Sequence, residues 1–367
     1  MKLSQEWPKN VAVLSEDRGF ALELGNAIVE GFRSHNCTAE LVGRNEPWKH
    51  AYDFVLGYGP HTWEGSLLPT ALQLESYPED KRPFFYWWYT EATVRPMIPT
   101  QFVRIMSKLH AKGNLHMSQS PASREKLWAK KLDQLFLRRH FRLRVIGELY
   151  EFYSRGLLGG LATTANSRVA YLRRHGFQPI GVPIGYYPPF HGRDLALQRD
   201  IDVAFLGRMK SKRRPKLLEK VRKDLESRGI KLVVPTKELN GENRTKFLNR
   251  TKIILNIFQR PHGFAGLRFL FCAANKTLLV SEPVIDTQPF VPGRYMVTAP
   301  IEQLAETIQS YLSKEGKRQE IVERAHRLIS EDFTIHKMIG RILNHSRELY
   351  LGQQDNIDGN KQAEALD

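Results

Sequence analysis

Residues 252–300 read KIILNIFQRPHGFAGLRFLFCAANKTLLVSEPVIDTQPFVPGRYMVTAP, and this stretch decides the fold. Ile253, Ile254, Leu255, Ile257 and Phe258 make a short apolar run. Such a run is the mark of a strand buried on both faces of a parallel sheet. Pro261 and Gly263 interrupt it with a loop. An apolar helical segment over 264–274 follows, then a second strand over 277–280 that stops at Ser281-Glu282-Pro283. A further Pro/Gly loop, 289–293, leads into Tyr295-Met296-Val297. The unit is strand, loop, helix, strand, and its loops fall at the carboxyl ends of strands. Open α/β sheets take their ligands there.

The alternation extends in both directions. Before the stretch come a strand over 202–206, stopping at Gly207-Arg208, a basic helix over 213–227, a strand over 231–235 and a short helix over 241–249. After it come helices over 301–313, 317–330 and 333–350. In the first half, strands are expected over 11–14, 37–42, 53–56, 83–89, 161–165 and 179–184. A helix after Gly19 carries Phe20, Leu22, Leu24, Ile28, Val29 and Phe32 at helical spacing. Asn166 or Ser167 is positioned to cap a helix running to Arg174, with Gly176 ending it. The stretch 96–120 reads as loop with one short helix, and 123–155 as one long helix or two. The fold class is therefore α/β, with two Rossmann-like domains facing a central cleft. The expected divisions are 1–188, 189–335, a terminal helix over 336–352 and a disordered polar tail over 353–367.

Composition narrows the function classes. The 367 residues include two cysteines, Cys37 and Cys272, each in apolar surroundings. That excludes a disulfide framework and a four-cysteine zinc site, and makes a reducing cytoplasm the expected setting. No apolar run approaches the ~18–20 residues of a spanning helix, and residues 1–9 are polar. Histidines and carboxylates leave a metal site open, though there is no HExxH-like spacing. The glycines of Gly57-Tyr58-Gly59-Pro60 do not make a GxGxxG fingerprint, which disfavours a dinucleotide cofactor. The formal charge of +16 attracts phosphates, whether of nucleotide sugars, nucleic acid or anionic lipid.

Four places carry candidate chemistry. At 205–214, FLGRMKSKRR, a strand ends at Gly207 and cations lead into a helix. Gly207 lets backbone approach a ligand, and Arg208, Lys212 and Arg213 suit a diphosphate at a helix N-terminus. The same run also suits a solvated basic helix start. At 260–268, RPHGFAGLR, His262 and Gly263 lie at a second helix N-terminus, again fit for an anion. Past the strand ends of the first half lie Glu16, His61 and Glu91, with Tyr58, Trp87 and Trp88 close by in sequence. His61 and Glu91 are the candidates for a general base, and the aromatic faces suit sugar rings. Core packing is the plainer reading of each aromatic. Finally, 124–145, REKLWAKKLDQLFLRRHFRLRV, interleaves apolar and basic residues at helical spacing. That pattern fits a helix lying on an anionic membrane, or one packed on the first domain with a solvated basic face.

The LNIF strand, Arg268, the LLVSE strand, the PFVPGRYMV segment and the helices after it, in that order, resemble the donor-binding half of GT-B glycosyltransferases. The likeness is to the glycosyl transferases group 1 type that includes CgeB-like proteins. It covers the carboxy-terminal half well and the first half in outline. It implies a metal-independent hexosyltransferase that moves a sugar from a nucleotide-diphosphate sugar to a glycan, lipid-linked or small-molecule acceptor. It also implies Gly207, Arg208, Lys212, Arg213, His262, Gly263 and Arg268 on the donor, and Glu16, Tyr58, Trp87 and Trp88 on the acceptor side. The terminal helix of such proteins crosses back to the first domain. Two positions depart from the family pattern. Phe271 stands where relatives carry the Glu that holds the ribose, and Asn275 stands where they carry Gly. Glu282 is the available substitute carboxylate. A GT-B isomerase-type enzyme and a basic nucleic-acid-binding protein are the rival classes. No recognised nucleic-acid motif is present, so nucleic acid is not an expected partner.

Overall fold

The computed structural model describes residues 7–15, 19–43, 46–59, 68–90, 98–119, 141–209, 212–259, 263, 266–284 and 286–364. The chain divides into two compact units, Met1–Val182 with Ile339–Asp367, and Pro183–Met338.

In the first unit β1 (Asn10–Ser15), β2 (Thr38–Gly43), β3 (Phe54–Tyr58), β4 (Phe84–Tyr89), β5 (Gly160–Thr163) and β6 (Ile180–Gly181) form a parallel sheet in the order β2-β1-β3-β4-β5-β6. Its helices are α1 (Gly19–Arg33), α2 (Leu68–Glu75), α3 (Thr100–Gln119), α4 (Phe141–Ser154) and α5 (Asn166–Arg174). The β4 segment FFYWWY is buried at every position, because a central parallel strand is covered on both faces. Alternate residues face opposite ways. Phe85, Trp87 and Tyr89 join the core around α4, where Phe85 stacks on Phe152 at 4.7 Å. Tyr86 instead hydrogen-bonds His345 at 2.8 Å.

Two local expectations fail here. The stretch 96–120 holds a twenty-residue helix, α3, where loop with one short helix was expected. Pro96 and Pro99 precede the helix instead of interrupting it, a place where proline does no harm. The α5 helix is preceded by Ala165, and no side chain caps it.

In the second unit β7 (Ile201–Ala204), β8 (Leu232–Val233), β9 (Thr251–Asn256), β10 (Leu278–Ser281) and β11 (Val297–Thr298) form a second parallel sheet, ordered β11-β10-β9-β7-β8. Its helices are α6 (Pro188–His191), α7 (Arg213–Glu226), α8 (Gly241–Asn249), α9 (Gly266–Ala274), α10 (Leu304–Ser313) and α11 (Glu315–Arg327). Strand alternation builds two core layers. Val203, Ile253, Leu255, Leu278 and Val280 pack with Leu218, Val221 and Ile308 on one face. Ala204, Ile254 and Leu279 pack with Leu248, Phe269 and Leu270 on the other. The chain runs from β7 outward to β8 and then returns to β9 on the opposite side of β7. The direction of strand order therefore reverses between β7 and β9, and ligands of open α/β sheets lodge at such a switch point. In the first unit the reversal lies between β1 and β3.

The last helix, α12 (Ile335–Glu364), continues beyond Gly352, where composition placed its end. From Ile339 onward it belongs to the first unit. There Trp7 stacks on Tyr350 at 4.4 Å, and Arg347 Nε donates to the Trp7 carbonyl at 2.8 Å.

Gly185 presses against backbone. A Cβ there would lie 2.4 Å from Ile335 Cα and 2.7 Å from the Thr334 carbonyl. The same place is stitched by Tyr186 N–H to Phe333 carbonyl and Ile335 N–H to Tyr186 carbonyl bonds at 2.6 and 2.8 Å. Neither partner can rotate away, so Gly185→Ala should lower stability by about 3 kcal/mol. A denaturant midpoint left unmoved by the substitution would refute this.

His191 is fully buried, and its Nδ1 accepts the Tyr187 N–H at 3.1 Å. Burial pushes its pKa down to about 3. The unfolded chain protonates this imidazole near pH 6.5 while the folded chain keeps it neutral. Stability from this group is therefore complete above pH 6.5 and declines below it, by about 1.4 kcal/mol per pH unit. Melting temperatures measured from pH 7.5 downward should fall once past this point, and His191→Gln should flatten the slope by one proton's worth.

Candidate functional site

The pocket at the β7/β9 switch point has a volume of about 340 Å³ and lies wholly within the second unit. Leu206 and Gly207 follow β7, Asn256 and Phe258 stand at the end of β9, and Leu267, Arg268, Phe271 and Cys272 come from α9. Arg214 of α7 and Arg244 of α8 complete the charged lining. Three guanidinium groups, and no carboxylate among the described residues, line it, a setting that suits an anion.

Arg268 sits in the first turn of α9, where helix N–H groups already favour negative charge. Its Nη1 donates to Asn256 Oδ1, and Asn256 Nδ2 in turn donates to Ser281 Oγ at 2.8 Å. Its guanidinium lies 5.6 Å from the centre of the Phe205 ring. No carboxylate among the described residues pairs with it. Burial, and then the like charge of Arg214, pull its pKa down to about 10. It remains a cation at neutral pH, held at an energetic cost that an anion would relieve.

Gly207 explains how two cations come so near. A Cβ at this position would lie 2.9 Å from Arg268 Nη2 and 3.3 Å from Arg214 Nη1. A side chain here would push on both guanidinium groups and on the Phe205 ring at 3.1 Å. Arg214 is itself anchored, donating from Nε to the Ile257 carbonyl and from Nη1 to the Arg208 carbonyl, each at 2.8 Å.

The structure distributes the other sequence candidates differently. The Arg208 side chain is 62% exposed and pairs with Glu238 at 3.3 Å. Its backbone carbonyl serves the site while its charge does not, and Arg214 takes the place expected of it beside Arg268. Lys212 is exposed just before α7. Arg213 forms a two-pronged ion pair with Glu282, with contacts of 2.8 and 2.6 Å. The carboxylate raises the arginine pKa further. Glu282 Oε1 also accepts the Phe258 N–H at 2.6 Å. The two residues expected to hold phosphate and ribose thus hold each other, joining the start of α7 to the end of β10. Gly263 lies against the Phe258 ring, where a Cβ would come within 2.3 Å. His262 lies outside the described residues.

The two departures from the family pattern have a structural account. Phe271 carries the Arg244 guanidinium on its ring at 4.2 Å, with Phe190 nearby at 5.7 Å. Arg244 Nη2 also donates to the Phe190 carbonyl at 2.6 Å. Where the resemblance implied a carboxylate, this pocket carries a ring bearing a cation. Asn275 is fully buried and donates to the carbonyls of His191 and Phe271 at 2.8 and 2.7 Å. It also accepts from Asn249 at 2.9 Å. Gly192, at φ +91°, makes room for it, since a Cβ there would lie 2.5 Å from Asn275 Oδ1. Sequence reading passed over Arg214, Arg244 and Asn256. The clue for Arg214 was its single-residue offset from Arg213 at a helix start, which turns the side chain to another face.

In the first unit, Trp87 and Trp88 are fully buried, so neither ring is open to stack on a ligand. Trp87 Nε1 donates to the Gly59 carbonyl at 3.1 Å, and Trp88 Nε1 to that of Val182 at 2.9 Å. The buried Tyr58 hydroxyl donates to the Ala21 carbonyl at 2.5 Å and meets Ser15 Oγ at 2.8 Å. These three aromatics belong to the interior, a correction to their expected acceptor-side placement. Glu16, His61 and Glu91 lie outside the described residues, as does 124–140 of the basic segment. Glu16 and His61 follow β1 and β3 in sequence, the two strands that flank the first unit's switch point.

Comparison with known proteins agrees with the fold. Residues 212–344 match the model of the glycosyl transferase-like family. No curated protein matches the sequence. Among solved structures, HepE of Anabaena in complex with UDP superposes with a TM-score of 0.55 at 9% identity, covering 93% of this chain and 100% of that one. The HepE complex with UDP-glucose gives 0.53 at 10% identity, covering 92% and 99%. S. aureus TarM gives 0.51 at 12% identity, covering 80% of this chain and 54% of TarM, so the likeness spans about half of that protein. A chain of two parallel α/β sheet units is what these solved structures share with this protein, and it is the GT-B class of fold.

Proposed function

We propose that this protein is a glycosyltransferase of hexosyltransferase type, moving a sugar from a nucleotide-diphosphate sugar to an acceptor. The carboxy-terminal unit holds the donor in the Arg214–Arg244–Arg268 pocket. The amino-terminal unit takes a glycan, lipid-linked or small-molecule acceptor. The observation that carries this reading is Arg268, a buried cation without a carboxylate partner among the described residues, at the mouth of a helix and at a sheet switch point. The complexes of HepE with UDP and with UDP-glucose support a nucleotide-sugar ligand for this fold.

Transfer leaves negative charge on the departing diphosphate. Arg268, Arg214 and the amino terminus of α9 are already in place to receive that charge, and fixed cations in a water-poor pocket stabilise it strongly. The reading calls for no metal. The acceptor hydroxyl gives its proton to His61 or Glu91, each a short distance in sequence past a strand end. Glu16, next after β1 in sequence, is a further residue of the acceptor side. The basic segment 124–145 rests on anionic lipid, which puts the enzyme in the cytoplasm at the inner membrane surface.

The test is a titration of the purified chain with UDP, UDP-glucose and other nucleotide sugars, read by thermal shift and calorimetry. A ligand that binds the folded state raises the melting temperature in step with saturation. Nucleotide release that rises on adding acceptor marks a transferase. Release unaffected by acceptor points to an isomerase-type enzyme, and no nucleotide binding at all removes the proposal.

A further inference from the structure

The helix α3 presents an apolar stripe to solvent. Phe102, Ile105 and Leu109 are 53%, 60% and 59% exposed. Their spacing, i, i+3 and i+7, puts them on one face. The opposite face is the packed one, with Val103 and Ser107 fully buried. Arg104 and Lys108 occupy the solvent face beside the stripe, each within 6 Å of the Tyr150 ring centre (5.7 and 5.9 Å). No acidic residue occurs anywhere in α3. The charge bias extends beyond the helix. Residues 92–147 hold twelve lysines and arginines against Glu125 and Asp133 alone, so +10 of the chain's formal +16 falls in this stretch.

We infer that Phe102, Ile105 and Leu109 of α3 insert into the interfacial layer of an anionic lipid bilayer. The inference rests on the membrane reading of 124–145 for its long-range attraction, and adds to it a definite apolar anchor on a described helix. Charge complementarity selects the partner's sign, since a segment with this sequence charge is drawn to anionic headgroups. The apolar stripe selects lipid over nucleic acid, because three neighbouring aromatic and aliphatic side chains gain nothing from a phosphate backbone. An amphipathic helix that lies in the interface uses this division, with apolar side chains toward the acyl boundary and basic ones among the headgroups. No described helix is long and apolar enough to cross a membrane, so the contact is one of insertion at the surface.

The experiment is co-sedimentation of the full chain with phosphatidylcholine vesicles, with and without phosphatidylglycerol. Wild type should bind only the anionic vesicles, and part of that binding should survive high salt, which screens charge but not apolar burial. The double variant Phe102→Ser/Ile105→Ser should bind about tenfold more weakly, with an unchanged melting temperature since both side chains are exposed. Because Cys37 and Cys272 are buried, Ile105→Cys offers a single reactive site for an environment-sensitive fluorophore. Its emission should shift to the blue on anionic vesicles. Anionic-vesicle binding that the double variant leaves intact, or a label that stays in water, overturns the anchor while leaving 124–145 as a purely electrostatic contact. Absence of binding to anionic vesicles overturns both. Tight binding to duplex DNA at moderate salt, with none to vesicles, points to the nucleic-acid class instead.

Discussion

Arg268→Met should leave the protein folded and remove its response to nucleoside diphosphates. A buried cation without a counter-ion weighs against the free protein, so replacing it with an apolar side chain of similar length costs little or even stabilises. Asn256 loses one hydrogen bond, which is worth about 1 kcal/mol. In the bound state the balance reverses. A charge-assisted hydrogen bond to phosphate is worth about 1.5–3 kcal/mol, so ligand dissociation constants should rise by about 10- to 100-fold. Transfer should fall by more, about 100- to 1,000-fold, because the diphosphate carries its greatest charge as the sugar leaves. Thermal shift and initial rates read the two separately. Arg208→Ala is the control. Its side chain is exposed and paired with Glu238, and a surface ion pair of this kind contributes about 0–1 kcal/mol. Wild-type nucleotide affinity in Arg268→Met would remove the donor-site assignment.

Phe271→Glu should weaken diphosphate binding by about tenfold. The new carboxylate arises beside Arg244, now stacked on the Phe271 ring at 4.2 Å, and pairs with it. One of the three pocket cations is then neutralised, and a negative group faces the ligand. The loss should be much smaller for an uncharged nucleoside, which identifies charge as the cause. Calorimetric titration of UDP and of uridine against both proteins makes the comparison. A gain in UDP affinity on adding the carboxylate would show that this wall receives hydroxyl groups and that the charge argument is mistaken.

The parallel sheets were legible in the sequence because a doubly covered strand must be apolar at consecutive positions. NVAVLS, FFYWWY and TKIILN are short runs of that kind, and each is buried almost throughout. The loop positions followed from glycine and proline, and so did the loop after β7 that holds Gly207. Helix α3 was misread because its exposed stripe of Phe102, Ile105 and Leu109 obscures the buried pair Val103 and Ser107. A sequence pattern records where apolar residues recur, and it cannot tell a buried stripe from one left in solvent.

Residue type and order by themselves determined the class of this protein: α/β units, a basic surface, and cations gathered after a strand-end glycine. Tertiary structure alone decided which cations face the pocket. Arg213 and Arg214 are adjacent in the chain, yet one closes on Glu282 and the other turns over Gly207 toward Arg268. Consecutive helical residues point about 100° apart, and a carboxylate 69 positions away claims whichever one it meets. Pairing between distant charges depends on distances through space, which a linear order of residues does not contain.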